Sequence, residues 1–185
     1  WFHAASLGEF EQGRPLIEQL REKYPEYKIL LTFFSPSGYE VRKNYKGADI
    51  ICYLPYDKKS EAMKFIDIVK PDKVFFVKYE FWGNMLEELN RRNIPVYLIS
   101  GIFREKQVFF KWYGGVMRPV LHMFQHLFVQ DEKSKALLNS ININNVTICG
   151  DTRFDRVLSI QQQAKQYQGA ADFRSTSDFI LVAGS

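Results

Sequence analysis

Within the opening stretch WFHAASLGEFEQGRPLIEQL, the string Ser6-Leu7-Gly8-Glu9 holds the first side chain placed for acid–base chemistry. Ser6-x-x-Glu9 matches a capping box, in which the serine hydroxyl accepts from the third helical amide and the glutamate reaches back to the cap amide. Pattern alone favours that structural role. Helix geometry adds a second one: Glu9 projects on the same side as Leu16, close to Gly13 and Leu20, so it tops the apolar stripe of the helix. Glu11 points about opposite and is expected to face water. A carboxylate at the head of a buried stripe is a candidate general base.

Further polar clusters follow apolar runs. Ser35-Pro36-Ser37-Gly38 comes after residues 28–34, and Ser37-x-x-Glu40 reads either as another capping box or as a cradle whose hydroxyls and helix amides hold an anion or a sugar. Glu80, in VKYEFWGN, follows the run 73–77; an acid at a strand end is more often solvated than lining a crevice. Arg153, in Gly150-Asp151-Thr152-Arg153-Phe154-Asp155, is placed either to bind an anion or to pair with Asp151 or Asp155. His3, His122 and His126 lack metal spacing; the last two are four apart at an expected helix end, without an accompanying Cys or acid, so no metal is implied. Gly-x-Gly-x-x-Gly, a Walker loop and Gly-x-Ser-x-Gly are absent, which argues against a nicotinamide enzyme, a P-loop protein and a serine hydrolase.

The elements that must position these groups are legible from the periodicity. Short β-branched or aromatic runs recur at 1–5, 28–34, 49–54, 73–77, 95–99, 126–129 and 146–149, with another at 179–183. Between most of them lie helical lengths: Gly13, Leu16, Ile17, Leu20 and Tyr24 fall at three- and four-residue intervals, and the pattern returns at 61–69 and 85–89, with Pro25, Pro71 and Pro95 closing the helices. Near-continuous apolar strands alternating with helices predict a doubly wound parallel α/β sheet whose carboxyl-edge loops carry the function. A hydrophobic fraction of 46% supplies the core, and a net charge of +4 favours anionic partners without choosing among them. Residues 103–124 mix Arg104, Lys106, Lys111 and Arg118 with six aromatics. Composition favours core aromatics there over a lipid-facing or a single-strand nucleic-acid surface. Cys52 and Cys149 sit in separate apolar runs at no redox or metal spacing, which suits a reducing compartment. No run reaches the roughly 18 apolar residues of a membrane span.

Taken in order, these strings resemble the N-terminal half of the transferases that attach 3-deoxy-D-manno-octulosonic acid (Kdo) to the lipid A precursor. The resemblance begins with His-x-x-Ser-x-Gly-Glu at His3, Ser6, Gly8 and Glu9, then Pro15-Leu16 and Tyr24-Pro25. It continues through Ser35 to Gly38, Tyr53-Leu54-Pro55-Tyr56-Asp57 and Gly150 to Asp155. The family's Glu-Thr-Glu-Leu-Trp-Pro-Asn reads Lys78-Tyr79-Glu80-Phe81-Trp82-Gly83-Asn84, losing the first acid and the Pro. Its next string, Asn-Ala-Arg-Leu-Ser, is replaced around Ser100-Gly101-Ile102-Phe103-Arg104, and Arg153 takes a Lys position.

The resemblance implies a two-domain GT-B glycosyltransferase that inverts the anomeric centre of Kdo as CMP departs, with Glu9 as base and no cofactor or metal. Ser6, Gly8, Ser35, Ser37, Gly38, Glu80 and Arg153 are the substrate-binding candidates. Residues 1–155 would form the Rossmann-like acceptor-side domain, 156–177 a helix and linker, and 178–185 the first strand of a donor domain. The chain opens at Trp1 rather than Met and is expected to be part of a longer protein, with an anchor segment before Trp1. The implied partners are CMP-Kdo, the lipid A precursor and the cytoplasmic face of the inner membrane, with no nucleic acid. A UDP-sugar transferase of the same architecture, or a non-enzymatic α/β module binding anionic lipid or nucleic acid, are the alternatives.

Overall fold

The structure, a computed structural model, describes residues 1–154. The helix, linker and further strand expected beyond residue 155 lie outside the described residues. Strands β1 (Phe2–His3), β2 (Leu30–Phe33), β3 (Ile50–Tyr53), β4 (Val74–Val77), β5 (Val96–Gly101), β6 (His126–Val129) and β7 (Val146–Ile148) form one parallel sheet in the order β3-β2-β1-β4-β5-β6-β7. The helices are α1 (Leu7–Lys23), α2 (Pro36–Arg42), α3 (Lys59–Val69), α4 (Gly83–Arg91), α5 (Arg118–His122) and α6 (Glu132–Asn139). Each predicted run within 1–149 overlaps one of the strands, with β5 extending two residues past its run to Gly101. Phe2 lies opposite both Leu31 of β2 and Phe75 of β4, so the chain order reverses on either side of β1. That reversal is the switch point at which doubly wound sheets open a crevice beyond their carboxyl ends.

Strand alternation builds two cores, one on each face. Val74, Phe76, Val96, Leu98, Leu127 and Val129 pack with Ala62 and Ile66 of α3, three apolar residues of α4, and Leu138 of α6. Phe2, Leu31, Phe33, Val77 and Ile99 pack with Phe10 and Ile17 of α1. Phe10, Phe33 and Phe76 are completely buried, and each stabilises the fold by about 1.5–3 kcal/mol relative to an exposed ring. Helix α1 runs through Pro15, which removes the amide that would have bonded the Glu11 carbonyl.

One helix start and the placement of the later histidines differ from the sequence reading. Ser35, not Ser37, caps α2: its Oγ accepts from the Ser37 amide at 3.2 Å, and Pro36 takes the first helical position, where its fixed φ and missing N–H cost nothing. Glu40 is therefore free to receive Lys43 Nζ at 2.7 Å. Gly38 is buried against the Phe33 ring, which a Cβ there would approach to 2.3 Å. The two later histidines share no helix. His122 ends α5, whereas His126 opens β6 and meets Thr147 Oγ1 at 2.8 Å.

Residues 103–124 divide. Phe103, Phe109 and Phe124 are core, as composition favours, but Trp112 is 93% exposed and Tyr113, Val116 and Met117 are exposed beside it. Arg118 is committed inward, donating to the carbonyls of Phe109 (2.8 Å) and Lys111 (3.0 Å). The aromatic residues thus serve both a core and an outer patch. Among the described residues no helix is long and apolar enough to cross a membrane.

Candidate active site

The switch point is flanked by the first turn of α1 and by the loop from β4 to α4, and each carries an acid, Glu9 and Glu80. Ser6 and Glu9 form the expected capping box at the start of α1. Glu9 Oε2 accepts from the Ser6 amide at 2.8 Å and from Ser6 Oγ at 2.6 Å. Both contacts fall on one oxygen. Oε1 accepts no hydrogen bond among the described residues, and Glu9 is half-buried rather than enclosed. The cap thus occupies one oxygen of the carboxylate and leaves the other open to a further hydrogen bond. Gly8, exposed on the first turn, has nothing within contact of a notional Cβ except Ser6 Oγ at 4.0 Å, so that side of the turn is open.

Glu11 does not simply face water. It is half-buried, receives Arg42 of α2 at 2.6 Å and lies 3.8 Å from Arg14, because α2 packs along that flank of α1 and brings a guanidinium to it.

Glu80 is buried, contrary to the solvated strand end favoured by its position in the sequence. Directly after β4, Lys78 adopts the left-handed region (φ 72°), and the chain turns so that Glu80 meets β1. Its Oε2 accepts from His3 Nε2 at 3.1 Å and from the Trp82 indole N–H. His3 is itself fully buried, with Nδ1 2.9 Å from Thr32 Oγ1, which also accepts from the Trp1 indole at 2.8 Å. A carboxylate can only accept, so the proton on Nε2 is assigned to the ring and Nδ1 takes the Thr32 hydroxyl. This network ties β1, β2 and the β4–α4 loop together beneath the crevice. Sequence reasoning left His3 as core or surface; its partner lies 77 residues away and no local spacing encodes the pair.

The neighbouring loops are stitched to this floor. The Ala5 carbonyl accepts from the amides of Phe34 (3.3 Å) and Ser35 (2.7 Å), so Ser35 and Ser37, whose hydroxyls are 2.9 Å apart, stand beside the loop that carries Ser6. Trp82 precedes α4 without a capping side chain; Asp57, from the β3–α3 loop, supplies the cap by accepting from the amides of Asn84 (3.1 Å) and Met85 (2.9 Å). Phe34 and Trp82 meet edge to face at 4.9 Å, and Phe34 and Tyr56 at 6.2 Å.

Further along the edge, Arg153 forms a bidentate pair with Asp151, and its guanidinium holds that carboxyl below the usual carboxylate range. Of the two pairings open from sequence, Asp151 is realised; Asp155 lies outside the described residues. Thr152 Oγ1 donates to the Gln12 carbonyl of α1 at 2.8 Å and lies 3.0 Å from Ser100 Oγ, which fastens this turn to α1 and β5.

A doubly wound parallel sheet in this strand order is the Rossmann-like architecture of one half of a GT-B fold. Solved UDP-GlcNAc 2-epimerases share it: the Neisseria meningitidis structure superposes with a TM-score of 0.65 at 18% identity over 88% of this chain and 49% of its own. The Methanocaldococcus jannaschii structure gives 0.62 at 18% identity over 95% and 52%. The model of the 3-deoxy-D-manno-octulosonic-acid transferase (kdotransferase) N-terminal family matches residues 1–156, and the chain belongs to that family. The Aquifex aeolicus 3-deoxy-D-manno-octulosonic acid transferase is 34% identical over 187 residues, covering 100% of this chain and 45% of the relative. The Chlamydia trachomatis serovar D transferase is 27% identical over 191 residues, covering 100% and 44%. The Haemophilus influenzae transferase is 36% identical over 96 residues, covering 51% and 22%. The chain spans less than half the length of each of these relatives.

Proposed function

We propose that the complete protein transfers Kdo from CMP-Kdo to the lipid A precursor with inversion, Glu9 acting as general base. The observation that carries this reading is the carboxylate of Glu9: Ser6 holds Oε2, and Oε1 accepts no hydrogen bond among the described residues, at the head of α1. In the reaction a glucosamine hydroxyl gives its proton to Oε1 as its oxygen bonds to the anomeric carbon of Kdo. The bond from that carbon to the CMP phosphate oxygen breaks, and CMP leaves with the electron pair. A base in reach of the attacking hydroxyl typically contributes about 10²- to 10⁴-fold.

The remaining candidates have complementary parts in this reading. Ser6 orients the base. Gly8 lets substrate approach the α1 backbone, Ser35 and Ser37 offer hydroxyls beside it, and Gly38 keeps that turn packed on Phe33. Glu80 accepts from the acceptor with the oxygen that His3 and Trp82 leave free. Arg153, already neutralised by Asp151, meets an anionic group only by exchanging that partner. The exposed Trp112, Tyr113, Val116 and Met117 support docking on the cytoplasmic face of the inner membrane, since aromatic rings beside cations suit a lipid interface. The test is transfer by the complete protein: Kdo-bearing product from CMP-Kdo and lipid A precursor supports the reading, and turnover of a UDP-sugar instead rejects it.

A further inference from the structure

The most solvent-exposed aromatic cluster at the switch-point crevice has no role in the fold that its exposure explains. Tyr56 is 73% exposed and Phe34 44% exposed, yet both are held in place rather than loose. Phe34 is fixed through its own amide, which donates to the Ala5 carbonyl one residue before Ser6. Tyr56 precedes Asp57, whose carboxylate and carbonyl receive three hydrogen bonds from Asn84 and Met85. Trp82 cannot rotate freely because its indole N–H is spent on Glu80. The rings of Phe34 and Trp82 are inclined at 65°, and those of Phe34 and Tyr56 at 82°, so together they make a corner instead of a flat stack. Beside that corner lies Glu80, with one oxygen committed to His3 and Trp82 and the other accepting no hydrogen bond among the described residues.

A rigid aromatic corner next to a buried, half-occupied carboxylate fits a pyranose ring. The C–H bonds on a sugar face carry slight positive charge and pack against the negative faces of aromatic rings, while ring hydroxyls or an amide N–H need a fixed acceptor. We propose that Phe34, Tyr56 and Trp82 form the wall that holds the acceptor sugar, one pyranose face lying in the aromatic corner and a polar hydrogen of the same ring donating to Glu80. The proposal rests on the glycosyltransferase reading above. The occupant is the acceptor rather than the donor because the hydroxyl that loses its proton must lie within hydrogen-bond reach of Glu9. Phe34 is joined by its backbone to the loop that carries Ser6 and leads directly into the helix turn bearing Glu9. Its ring packs edge to face on Trp82, so a sugar held in the corner lies beside the loop that leads to the base.

The test compares the complete wild-type enzyme with Phe34→Ala, Tyr56→Ala and Phe34→Tyr, using the lipid A precursor and its deacylated disaccharide as alternative acceptors. Loss of one packed ring should raise the apparent KM for either acceptor by about 5- to 30-fold, with the donor KM within about twofold of wild type. Phe34→Tyr, which keeps the ring, should restore wild-type KM. Unchanged acceptor KM, a rise in donor KM alone, or an effect seen with the acylated acceptor only would overturn the assignment; the last outcome would move the contact to the acyl chains. If the wild-type enzyme transfers no Kdo at all, the proposed function falls, and calorimetric binding of the deacylated disaccharide to wild type and Phe34→Ala still decides the wall: weaker binding by the variant supports it, equal or absent binding rejects it.

Discussion

Asp57 supplies a helix cap from a different loop, and its removal tests how the site is assembled. The Asp57 carboxylate accepts from the amides of Asn84 and Met85, the first turn of a helix whose own N-cap residue, Trp82, cannot fill that role. Capping side chains contribute about 0.5–2 kcal/mol, and a charged acceptor at a helix N-terminus adds a further 0.3–1 kcal/mol through the dipole. Asp57 is only half-buried, so water replaces part of what Ala would lose, and the expected cost of Asp57→Ala is about 1–2 kcal/mol. Expressed as local opening, that makes amide exchange in the first turn of α4 about 5- to 30-fold faster. Hydrogen exchange followed by mass spectrometry on peptides from α4 and, as a control, α1 reads this directly. Asp57→Asn keeps an acceptor oxygen and should fall between wild type and Ala. Unchanged exchange in α4, or equal acceleration in α1, would refute the idea that the β3–α3 loop holds α4 in place.

Other outcomes follow from the same geometry. Asp49 accepts from the Ile29 amide and from Arg21, and these bonds lower its pKa to about 2. Because the folded value lies below the unfolded one of about 3.9, the stability it contributes is present above that value and is lost as pH falls toward 2. Asp49→Asn should therefore flatten the urea midpoint across roughly pH 4 to 2, and a slope unchanged there would contradict the pairing. Gly38→Ala, forcing a Cβ to 2.3 Å from the Phe33 ring, should destabilise by about 1–3 kcal/mol in denaturant titration. Gly8→Ala meets no such clash, so it should leave stability unchanged or higher while lowering transfer rate; lost stability would show that the first turn of α1 is packed after all. Trp112→Ala with Tyr113→Ala should weaken sedimentation with anionic vesicles without shifting the thermal midpoint, and unchanged vesicle binding would remove that patch from the membrane face.

The strands were legible because apolar and β-branched runs on a two-sided parallel sheet leave little ambiguity, and helix α1 because its stripe from Gly13 to Leu20 is unbroken. What the sequence concealed is long-range. Glu80 reads as a solvated strand end until the left-handed turn at Lys78 brings it to His3, and nothing near either residue in the chain announces the other. Glu11 reads as a water-facing acid until α2 brings Arg42 to it. At α2 the Ser37-x-x-Glu40 pattern suggests a cap that the structure does not use, because Pro36 at the first helical position makes Ser35 the cap. Trp112 and Tyr113 share a composition with the buried Phe103 and Phe109, and burial there is set by short turns with no periodicity to read.

The central claim is that Glu9 takes the proton, and Glu9→Gln in the complete enzyme addresses it most directly. Gln keeps an oxygen to accept from the Ser6 amide and hydroxyl, so the cap survives, but the atom that replaces Oε1 becomes a donor. Glu11→Gln is the companion variant; it weakens a partly exposed ion pair to Arg42, worth at most about 1 kcal/mol, on the flank of α1 away from the crevice. The account predicts that kcat falls by about 10²- to 10⁴-fold in Glu9→Gln and stays close to wild type in Glu11→Gln, with the melting temperature of Glu9→Gln unchanged. A near-wild-type kcat for Glu9→Gln, or an equal loss in both variants, would contradict it and leave Glu9 as a helix cap alone.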